Sequence, residues 1–184
     1  IGPGSICTTR LVAGIGVPQL SAILAVRNGL KNKNVKIISD GGLKSSGDLA
    51  KALAAGADCI MIGSLFSGTD ESPGKIIKIK GKLYKNFRGM GSVGAMSVGS
   101  SDRYYQKRYK DISKYVPEGV EGLVKYKGQV SKIIYNLVGG LKSSMGYLGS
   151  KKIKDLQRNG EFVKITKAGF YESMVHNVDH IKQN

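Results

Sequence analysis

The chain has 184 residues, 41% of them hydrophobic, and its 29 Lys and Arg against 13 Asp and Glu give a net charge of +16. This length suffices for one domain with a sizeable core, and no apolar run is long enough to cross a bilayer, so we expect no membrane partner. The charge suggests a nucleic-acid partner, but the basic residues are scattered and do not alternate with aromatic residues, so nucleic-acid binding is only an alternative function.

The chain begins with a glycine-rich turn at residues 1–5, Ile-Gly-Pro-Gly-Ser. Such a turn normally follows a strand, so we expect residue 1 to lie inside a longer protein. The next element is a helix predicted over residues 17–30, where Leu20, Ile23 and Leu24 recur at helical spacing.

Two short apolar strands follow, predicted at residues 35–39 and 59–62, with a helix at 46–55 between them. Glycine-containing loops come directly after the strands, at residues 40–42 and 63–64. Alternating strands and helices with short connections predict parallel strands joined by right-handed crossovers. We therefore predict an α/β fold, the C-terminal half of a (β/α)8 TIM barrel, with an open doubly wound sheet as the alternative.

A β-hairpin is predicted next, because residues 75–80 and 82–87 alternate Ile or Leu with Lys around Lys80 and Gly81. Residues 89–128 are rich in Gly, Ser, Tyr and Lys without sustained periodicity. A segment of this length is either a functional lid or disordered.

Helical spacing returns from Val130 to Val138, a short helix is predicted over residues 151–158, and a last short strand over 161–166. The predicted division of the chain is residues 1–74 for the barrel strands, helices and strand-end loops, 75–128 for the hairpin and mobile flap, and 129–184 for the final barrel helix and C-terminal segment.

The two strand-end loops are candidate anion sites. Gly41 and Gly42, and likewise Gly63 and Ser64, follow strands and precede helical turns, so their N–H groups can bind a phosphate that the helix dipole also favours. Tight-turn glycines with a capping serine are the alternative interpretation. Asp40 is placed either to hydrogen-bond a ribose diol or to act as an N-cap.

The two cysteines have different surroundings. Cys7 lies in a polar glycine loop, where neighbouring N–H groups and Arg10 favour the nucleophilic thiolate, although a lone loop cysteine is often incidental. Cys59 lies in an apolar run and is expected to pack in the core. So few cysteines favour a reducing cytoplasm. His176 and His180 lack the neighbours of a metal site and are interpreted as ordinary tail residues.

Several motifs resemble an enzyme family. Residues 2–10 and 16–19 resemble the cysteine loop shared by inosine monophosphate dehydrogenases and guanosine monophosphate reductases, as do residues 39–42, 54–58 and 63–64. Residues 88–92, 100–104 and 116–122 resemble the hairpin and flap of the dehydrogenase. The reductases lack these segments in this form. The resemblance runs nearly end to end, and Glu118 is the form typical of bacterial members.

The resemblance implies an NAD-dependent oxidation of inosine 5'-monophosphate to xanthosine 5'-monophosphate, in guanine nucleotide biosynthesis. The Cys7 thiolate would attack C2 of the hypoxanthine, hydride would pass to NAD, and water would hydrolyse the covalent adduct. The flap would carry Arg103 and Tyr104 into the vacated nicotinamide site, where Arg103 is proposed to activate the water. Thr9 completes the catalytic group. The alternatives are guanosine monophosphate reductase and a non-catalytic module that binds phosphate or nucleic acid.

The family pattern also implies ligand contacts. The implied phosphate contacts are Ser5, Gly42, Gly63 and Ser64, and Gly41 is implied to bind the substrate beside them. Asp40 would hold the ribose, and Met90, Gly91 and Glu118 the base. Tyr147 is implied to contact NAD. Carbonyls of Gly2, Gly4 and Cys7 resemble a potassium ion site, which Glu172, Ser173 and Met174 of a neighbouring subunit would complete in a homotetramer.

The chain departs from the family pattern at Phe87, where the family usually has a tyrosine that touches the phosphate. One hydroxyl contact to the substrate should therefore be missing. The first half of the barrel, with its nicotinamide contacts, is not in this sequence, so we expect the fragment alone to be inactive.

Overall fold

The computed structural model describes residues 2–30 and 34–178. The helices are α1 (Thr9–Val12), α2 (Gln19–Gly29), α3 (Ser46–Ala54), α4 (Val93–Ala95), α5 (Val130–Tyr147), α6 (Ile153–Asn159) and α7 (Lys167–Glu172). The strands are β1 (Ile38–Asp40), β2 (Cys59–Met61), β3 (Ile76–Ile79), β4 (Lys82–Arg88) and β5 (Glu121–Lys125). Over these residues, none of the helices is both long and apolar enough to span a membrane.

β1 and β2 are parallel neighbours joined through α3, with Ile38 opposite Cys59 and Asp40 opposite Met61. Parallel pairing was predicted from the order of the elements, although β1 covers only the end of the predicted strand. One face of this pair packs on α2 and α3 through a buried apolar cluster that includes Ile23, Ile37, Ala52, Ala55 and Ala57. Both strand ends are thereby fixed at the same edge.

Cys59 is exposed, so the prediction that it packs in the core is wrong. Side chains alternate between the faces of a strand. Ile60 packs against the apolar cluster, and its neighbours Cys59 and Met61 therefore point to the opposite face. Ile38 and Met61 are both about half exposed among the described residues. A continuous apolar run does not reveal which of its residues face the helices.

β3, β4 and β5 form an antiparallel sheet. β3 and β4 are connected through Lys80 (φ 47°) and Gly81 (φ 78°), and left-handed backbone at both central positions suits the twist of a two-residue hairpin. β5 pairs along β4, with Arg88 opposite Glu121. Residues 89–128, for which we predicted either a functional lid or disorder, therefore contain a strand near their end, and α4 lies near their beginning.

α5 continues through Gly139 and Gly140, beyond the predicted helical spacing. A Cβ atom on Gly140 would lie 2.1 Å from the Ser46 Oγ, so glycine permits the close approach of α3 and α5. The start of α5 is fixed by the Glu71 carboxylate, which accepts a hydrogen bond from the Val130 N–H at 2.9 Å. Gly140 is therefore a packing feature inside the helix, whereas a Cβ on Gly139 would have no neighbour within 4 Å.

The predicted strand at residues 161–166 is wrong, because this stretch has no regular structure. Val163 is 84% exposed and Ile165 is 59% exposed, so their apolar side chains are not buried by a sheet in the described part of the chain. Thr166 instead begins α7, with its hydroxyl accepting a hydrogen bond from the Gly169 N–H at 3.2 Å. His176 follows as an exposed residue, and His180 lies outside the described residues.

Lys85 ties the loop after β2 to the antiparallel sheet. Its side chain is buried, and its Nζ donates to the Thr69 carbonyl at 2.7 Å and the Ser72 carbonyl at 2.5 Å. Hydrogen bonds from a charged donor are stronger than neutral ones, particularly away from water. β4 therefore holds the segment that continues from Gly63 and Ser64.

Replacing Lys85 with Met is expected to lower the free energy of unfolding by about 3 kcal/mol, because Met keeps the side-chain length but leaves the carbonyls without a donor. Lys82 lies exposed on the same strand, so Lys82→Met is the matched control. Urea denaturation of the full-length polypeptide compares the two variants. Equal midpoints would contradict this role for Lys85.

Candidate active site

A cavity of about 550 Å³ lies where β1 and β2 end. It is lined by the N-terminal turn, both strand-end loops, the end of β4 and parts of the segment between β4 and β5. Ligands of α/β proteins bind at the carboxyl ends of parallel strands, where the loops meet. This position makes the cavity the candidate active site.

Most of the predicted site residues meet in this cavity. Those that line it are Gly2, Gly4, Ser5, Cys7, Thr9, Asp40, Gly41, Gly42, Gly63, Ser64, Phe87, Met90, Gly91, Arg103, Tyr104 and Glu118. Those that do not are Tyr147, Glu172, Ser173 and Met174. Tyr147 is 94% exposed near the end of α5, and the other three lie at the end of α7.

Cys7 is exposed to the cavity, and its Sγ donates to the Thr9 hydroxyl at 3.2 Å. Its backbone is fixed by the segment before β5. The Thr8 N–H donates to the Glu118 carbonyl at 2.8 Å, and the Val120 N–H donates to the Ile6 carbonyl at 3.0 Å. An accessible thiol with a fixed backbone and an oriented hydroxyl partner suits a nucleophile.

The first strand-end loop requires glycine. Gly41 (φ +84°) and Gly42 (φ +82°) both have left-handed backbone, which residues with a Cβ rarely adopt. A Cβ on Gly42 would also lie 2.4 Å from Cγ of Pro3. The glycines therefore let this loop approach the cysteine loop closely.

The second strand-end loop opens a helical turn, in which the Phe66 and Ser67 N–H groups donate to the Gly63 carbonyl. Lys127 stabilises this turn, because its Nζ donates hydrogen bonds to the carbonyls of Ser64 at 2.9 Å and Leu65 at 3.0 Å. Partial burial lowers the pKa of Lys127 from its ordinary value. The N–H groups at the start of a helical turn are suited to bind an anion.

Asp40 ends β1 and lines the cavity. The alternative that it acts as an N-cap is wrong, since Ser45 caps α3 by accepting a hydrogen bond from the Asp48 N–H. Gln19 fixes the backbone here, donating from Nε2 to the Asp40 carbonyl at 2.8 Å and to the Ser39 hydroxyl at 3.0 Å. The carboxylate is therefore held at the edge where a ligand would lie.

Arg103 and Tyr104 bring the middle of the predicted flap into the cavity. Burial raises the pKa of Tyr104, and negative charge at Cys7 and Glu118 adds to this, while the Arg103 charge and hydrogen bond act in the opposite direction. The phenol therefore holds its proton more firmly than a solvent-exposed tyrosine does. A Cβ on Gly91 would lie 2.8 Å from Cζ of Tyr104, so glycine makes room for this ring.

Some residues that shape the site were missed by sequence reasoning. Glu121 accepts hydrogen bonds from the Ser92 hydroxyl at 2.8 Å and the Gly94 N–H at 3.0 Å, which fixes the chain just after Met90 and Gly91. Ser92 and Glu121 are almost thirty positions apart, and the hydrogen-bond partners of Gln19 and Lys127 are also distant in the chain. Such pairs leave no local spacing signal in the sequence.

A second cavity, of about 1070 Å³, is lined by the loop after β2, by β4 and β5, and by the first turns of α5. It shares Gly63, Phe87 and Arg88 with the first cavity. Its carboxylates, Glu71 and Glu121, already accept backbone hydrogen bonds. Cys7 lines only the smaller of these two cavities, which therefore remains the candidate site.

Comparison with known proteins identifies the family. The family model described as "IMP dehydrogenase / GMP reductase domain" matches residues 1–176. The chain belongs to this family. Curated members include the inosine-5'-monophosphate dehydrogenase of Rhizobium tropici, 57% identical over 97% of this chain and 36% of that protein. That of Cryptosporidium parvum is 54% identical over 100% of this chain and 46% of that protein. The chain thus spans less than half the length of these relatives.

A solved structure of the same family is similar throughout. It is a cysteine-to-alanine variant of GMP reductase from Trypanosoma brucei in complex with guanosine 5'-monophosphate, with a TM-score of 0.85 and 48% identity. The match covers 97% of this chain and 35% of that chain. This similarity to a reductase does not by itself separate the two activities, and the prediction that the hairpin and flap distinguish them stays a prediction.

Proposed function

We propose that the protein to which this chain belongs oxidises inosine 5'-monophosphate to xanthosine 5'-monophosphate through a covalent cysteine adduct, in guanine nucleotide biosynthesis. The observation that carries the proposal is that the accessible Cys7 shares one cavity with the glycine loops at Gly42 and Ser64. Curated relatives more than half identical to this chain, named as inosine-5'-monophosphate dehydrogenases, support the same substrate and reaction.

In this proposal the strand-end loops hold the nucleotide. The N–H groups of Gly42, Gly63 and Ser64 and the hydroxyl of Ser5 bind the phosphate. All four are hydrogen-bond donors, which suits a negatively charged acceptor. The Asp40 carboxylate accepts hydrogen bonds from the two ribose hydroxyls. The base then extends along the cavity, where Met90, Gly91 and Glu118 lie.

Cys7 then performs the bond changes at C2 of the purine. Its thiolate adds to C2, and the hydrogen at C2 leaves with its electron pair. NAD, when bound, supplies the acceptor of that hydride. Water next adds to the same carbon, the C–S bond breaks, and the thiolate and the oxidised nucleotide are released with a proton. Thr9 orients the sulfur during both additions through its hydroxyl.

Arg103 and Tyr104 are proposed to activate that water. A guanidinium ordinarily keeps its proton at neutral pH, so Arg103 needs an altered local field or a proton relay. Tyr104 is hydrogen-bonded to Arg103 and interacts electrostatically with Cys7 and Glu118, which supports a relay role. Arg103 and Tyr104 both line the cavity that contains Cys7, where the adduct must be hydrolysed.

The residues at the N-terminal turn suit a potassium ion, because backbone carbonyls are the ligands that potassium sites use. Gly2, Gly4 and Cys7 all line one cavity and are held in one short turn. The predicted additional ligands at residues 172–174 do not line it, and we propose that they act on a neighbouring subunit in a homotetramer. Tyr147 as a contact for NAD stays a prediction.

We also propose that β1 and β2 are adjacent strands of a (β/α)8 barrel whose interior is the face carrying Ile38 and Met61. Their half-exposed apolar side chains support this, since such a face needs a cover. Residues 1–74 would supply strands and helices, 75–128 the hairpin and flap, and 129–184 the final helix and C-terminal segment. We further propose a cytoplasmic location, and that this segment alone is inactive.

The second candidate function is guanosine monophosphate reductase, favoured by the similarity to the reductase structure. The full-length polypeptide is mixed with inosine monophosphate and NAD in one assay and with guanosine monophosphate and NADPH in another. NADH formation in the first supports the proposal, and NADPH consumption in the second alone supports the reductase. Turnover in neither, with salt-sensitive binding of mixed oligonucleotides, would support a binding module instead.

Replacing Phe87 with Tyr is expected to lower KM for inosine monophosphate about tenfold, because the added hydroxyl supplies a hydrogen bond to a charged group. Phe87 lines the cavity and is half-buried, so a hydroxyl there is near the proposed phosphate site. Phe66, which lines only the second cavity, gives the control Phe66→Tyr. An unchanged KM in Phe87→Tyr would show that the phosphate lies elsewhere.

A further inference from the structure

The loop between Tyr104 and β5 has its two ends linked by one side chain, the amide of Gln106. Gln106 Nε2 donates to the Val116 carbonyl at 2.8 Å, and the Val116 N–H donates to Gln106 Oε1 at 2.9 Å. The side chain thus satisfies both backbone groups of one residue, as a neighbouring β-strand would. The result is a ring of residues 106–116.

Both ends of this ring are attached to cavity residues. On one side, Gln106 follows the short turn of Arg103 and Tyr104, and its N–H donates to the Ser101 carbonyl at 3.1 Å. On the other, Val116 precedes Glu118, whose N–H donates to the Gly91 carbonyl at 2.9 Å. The clamp therefore joins the two chain segments that carry flap and base-contact residues.

The tip of the ring has hydrogen bonds of its own. The Ser113 N–H and hydroxyl both donate to Asp111 Oδ1, at 3.0 and 2.7 Å. The Tyr109 N–H donates to the Tyr115 hydroxyl at 3.1 Å, and the two rings meet edge to face at 5.3 Å. Loss of the two hydrogen bonds between Gln106 and Val116 would consequently separate the ends of the loop and leave the contacts among residues 109–115 in place.

We propose that Gln106 is a positioning residue that keeps Arg103 and Tyr104 in the cavity by closing this loop. Tyr105, between them and the clamp, is fully exposed and has left-handed backbone (φ 56°), so burial does not hold the chain at that point. Opening the ring increases the conformational freedom of the segment and lowers the fraction of molecules with Arg103 in place. The inference rests on the proposed function, in which Arg103 serves hydrolysis and not hydride removal.

The test separates these two half-reactions by rapid mixing of the full-length polypeptide with inosine monophosphate and NAD. Gln106→Met keeps the side-chain size and removes both hydrogen bonds, and Gln106→Glu keeps the acceptor alone. Ser113→Ala, which removes one hydrogen bond at the tip, is the matched control. In Gln106→Met we expect an unchanged initial burst of NADH and a steady-state rate about tenfold lower. Gln106→Glu should be intermediate, and Ser113→Ala unchanged.

An initial burst of normal rate shows that the variant is folded and binds both substrates. A steady-state rate within twofold of the unmodified protein, or a burst that slows in parallel with turnover, would overturn the role of Gln106 and leave the proposed function intact. Absence of NADH from the unmodified protein would instead refute the proposed function, and this inference with it.

Discussion

Replacing Cys7 with Ala in the full-length polypeptide is expected to lower NADH formation about a thousandfold or more, because the sulfur that forms the proposed covalent adduct is removed. Cys7 lines the cavity, and its backbone is held by residues 118–120. The smaller side chain leaves the strand-end loops in place, so inosine monophosphate should still bind. Steady-state NADH absorbance and calorimetric binding of the nucleotide measure the two effects separately.

Cys59 provides the control for this experiment. It is exposed in this chain and does not line the cavity, and in the proposed barrel the face of β2 that carries it is the interior. Cys59→Ala should therefore retain turnover close to that of the unmodified protein. If Cys7→Ala kept more than a tenth of the activity, or if Cys59→Ala caused the larger loss, Cys7 would not be the nucleophile.

The second large effect is expected for Gly42→Ala, which should lower kcat/KM for inosine monophosphate about a hundredfold, as small displacements of positioned groups can. A Cβ at φ +82° is strained, and it would lie 2.4 Å from the ring of Pro3. Relief of that clash must move either the phosphate loop or the turn that carries Cys7. Steady-state kinetics over a range of nucleotide concentrations measure the effect.

Gly149→Ala is the matched control, since Gly149 also has left-handed backbone (φ 59°) but has no atom within 4 Å of the added Cβ and lies outside the cavity. Both variants carry the backbone strain, and only Gly42→Ala carries the clash at the site. Equal kinetic losses in the two would mean that strain, and not the position of the phosphate loop, is responsible.

Much of the first half of the chain could be predicted from its sequence. Helical spacing before residue 30, two short apolar runs and the glycines after them indicated parallel strands with their loops at one edge. The structure has β1 and β2 in that arrangement. Local periodicity and turn chemistry carry this information, because consecutive elements here pack on one another.

The sequence was less informative where long-range contacts decide the structure. β5 was missed because Glu121 to Lys125 contains Glu, Gly and Lys, and its pairing with β4 supplies what local preference does not. The length of α5 was underestimated because Gly140 is normally unfavourable in a helix, and only the approach of Ser46 explains it. Such contacts cannot be identified from spacing.

The residues of the candidate site also fall into those that could be recognised from the sequence and those that could not. Cys7 and the glycine loops have recognisable local surroundings, whereas Gln106, Glu121 and Lys127 each act through two side-chain hydrogen bonds to groups that are distant in the chain. A Gln or Lys in a polar segment has no distinguishing pattern. Their roles became apparent only from the structure.

The most direct test of the account is the mass of the full-length polypeptide after reaction with inosine monophosphate and NAD and an acid quench. We predict a mass increase equal to one nucleotide adduct, located at Cys7 by peptide mapping and absent from Cys7→Ala. No adduct during active NADH formation, or an adduct on another residue, would contradict the claim that this sulfur attacks a nucleotide held by the strand-end loops.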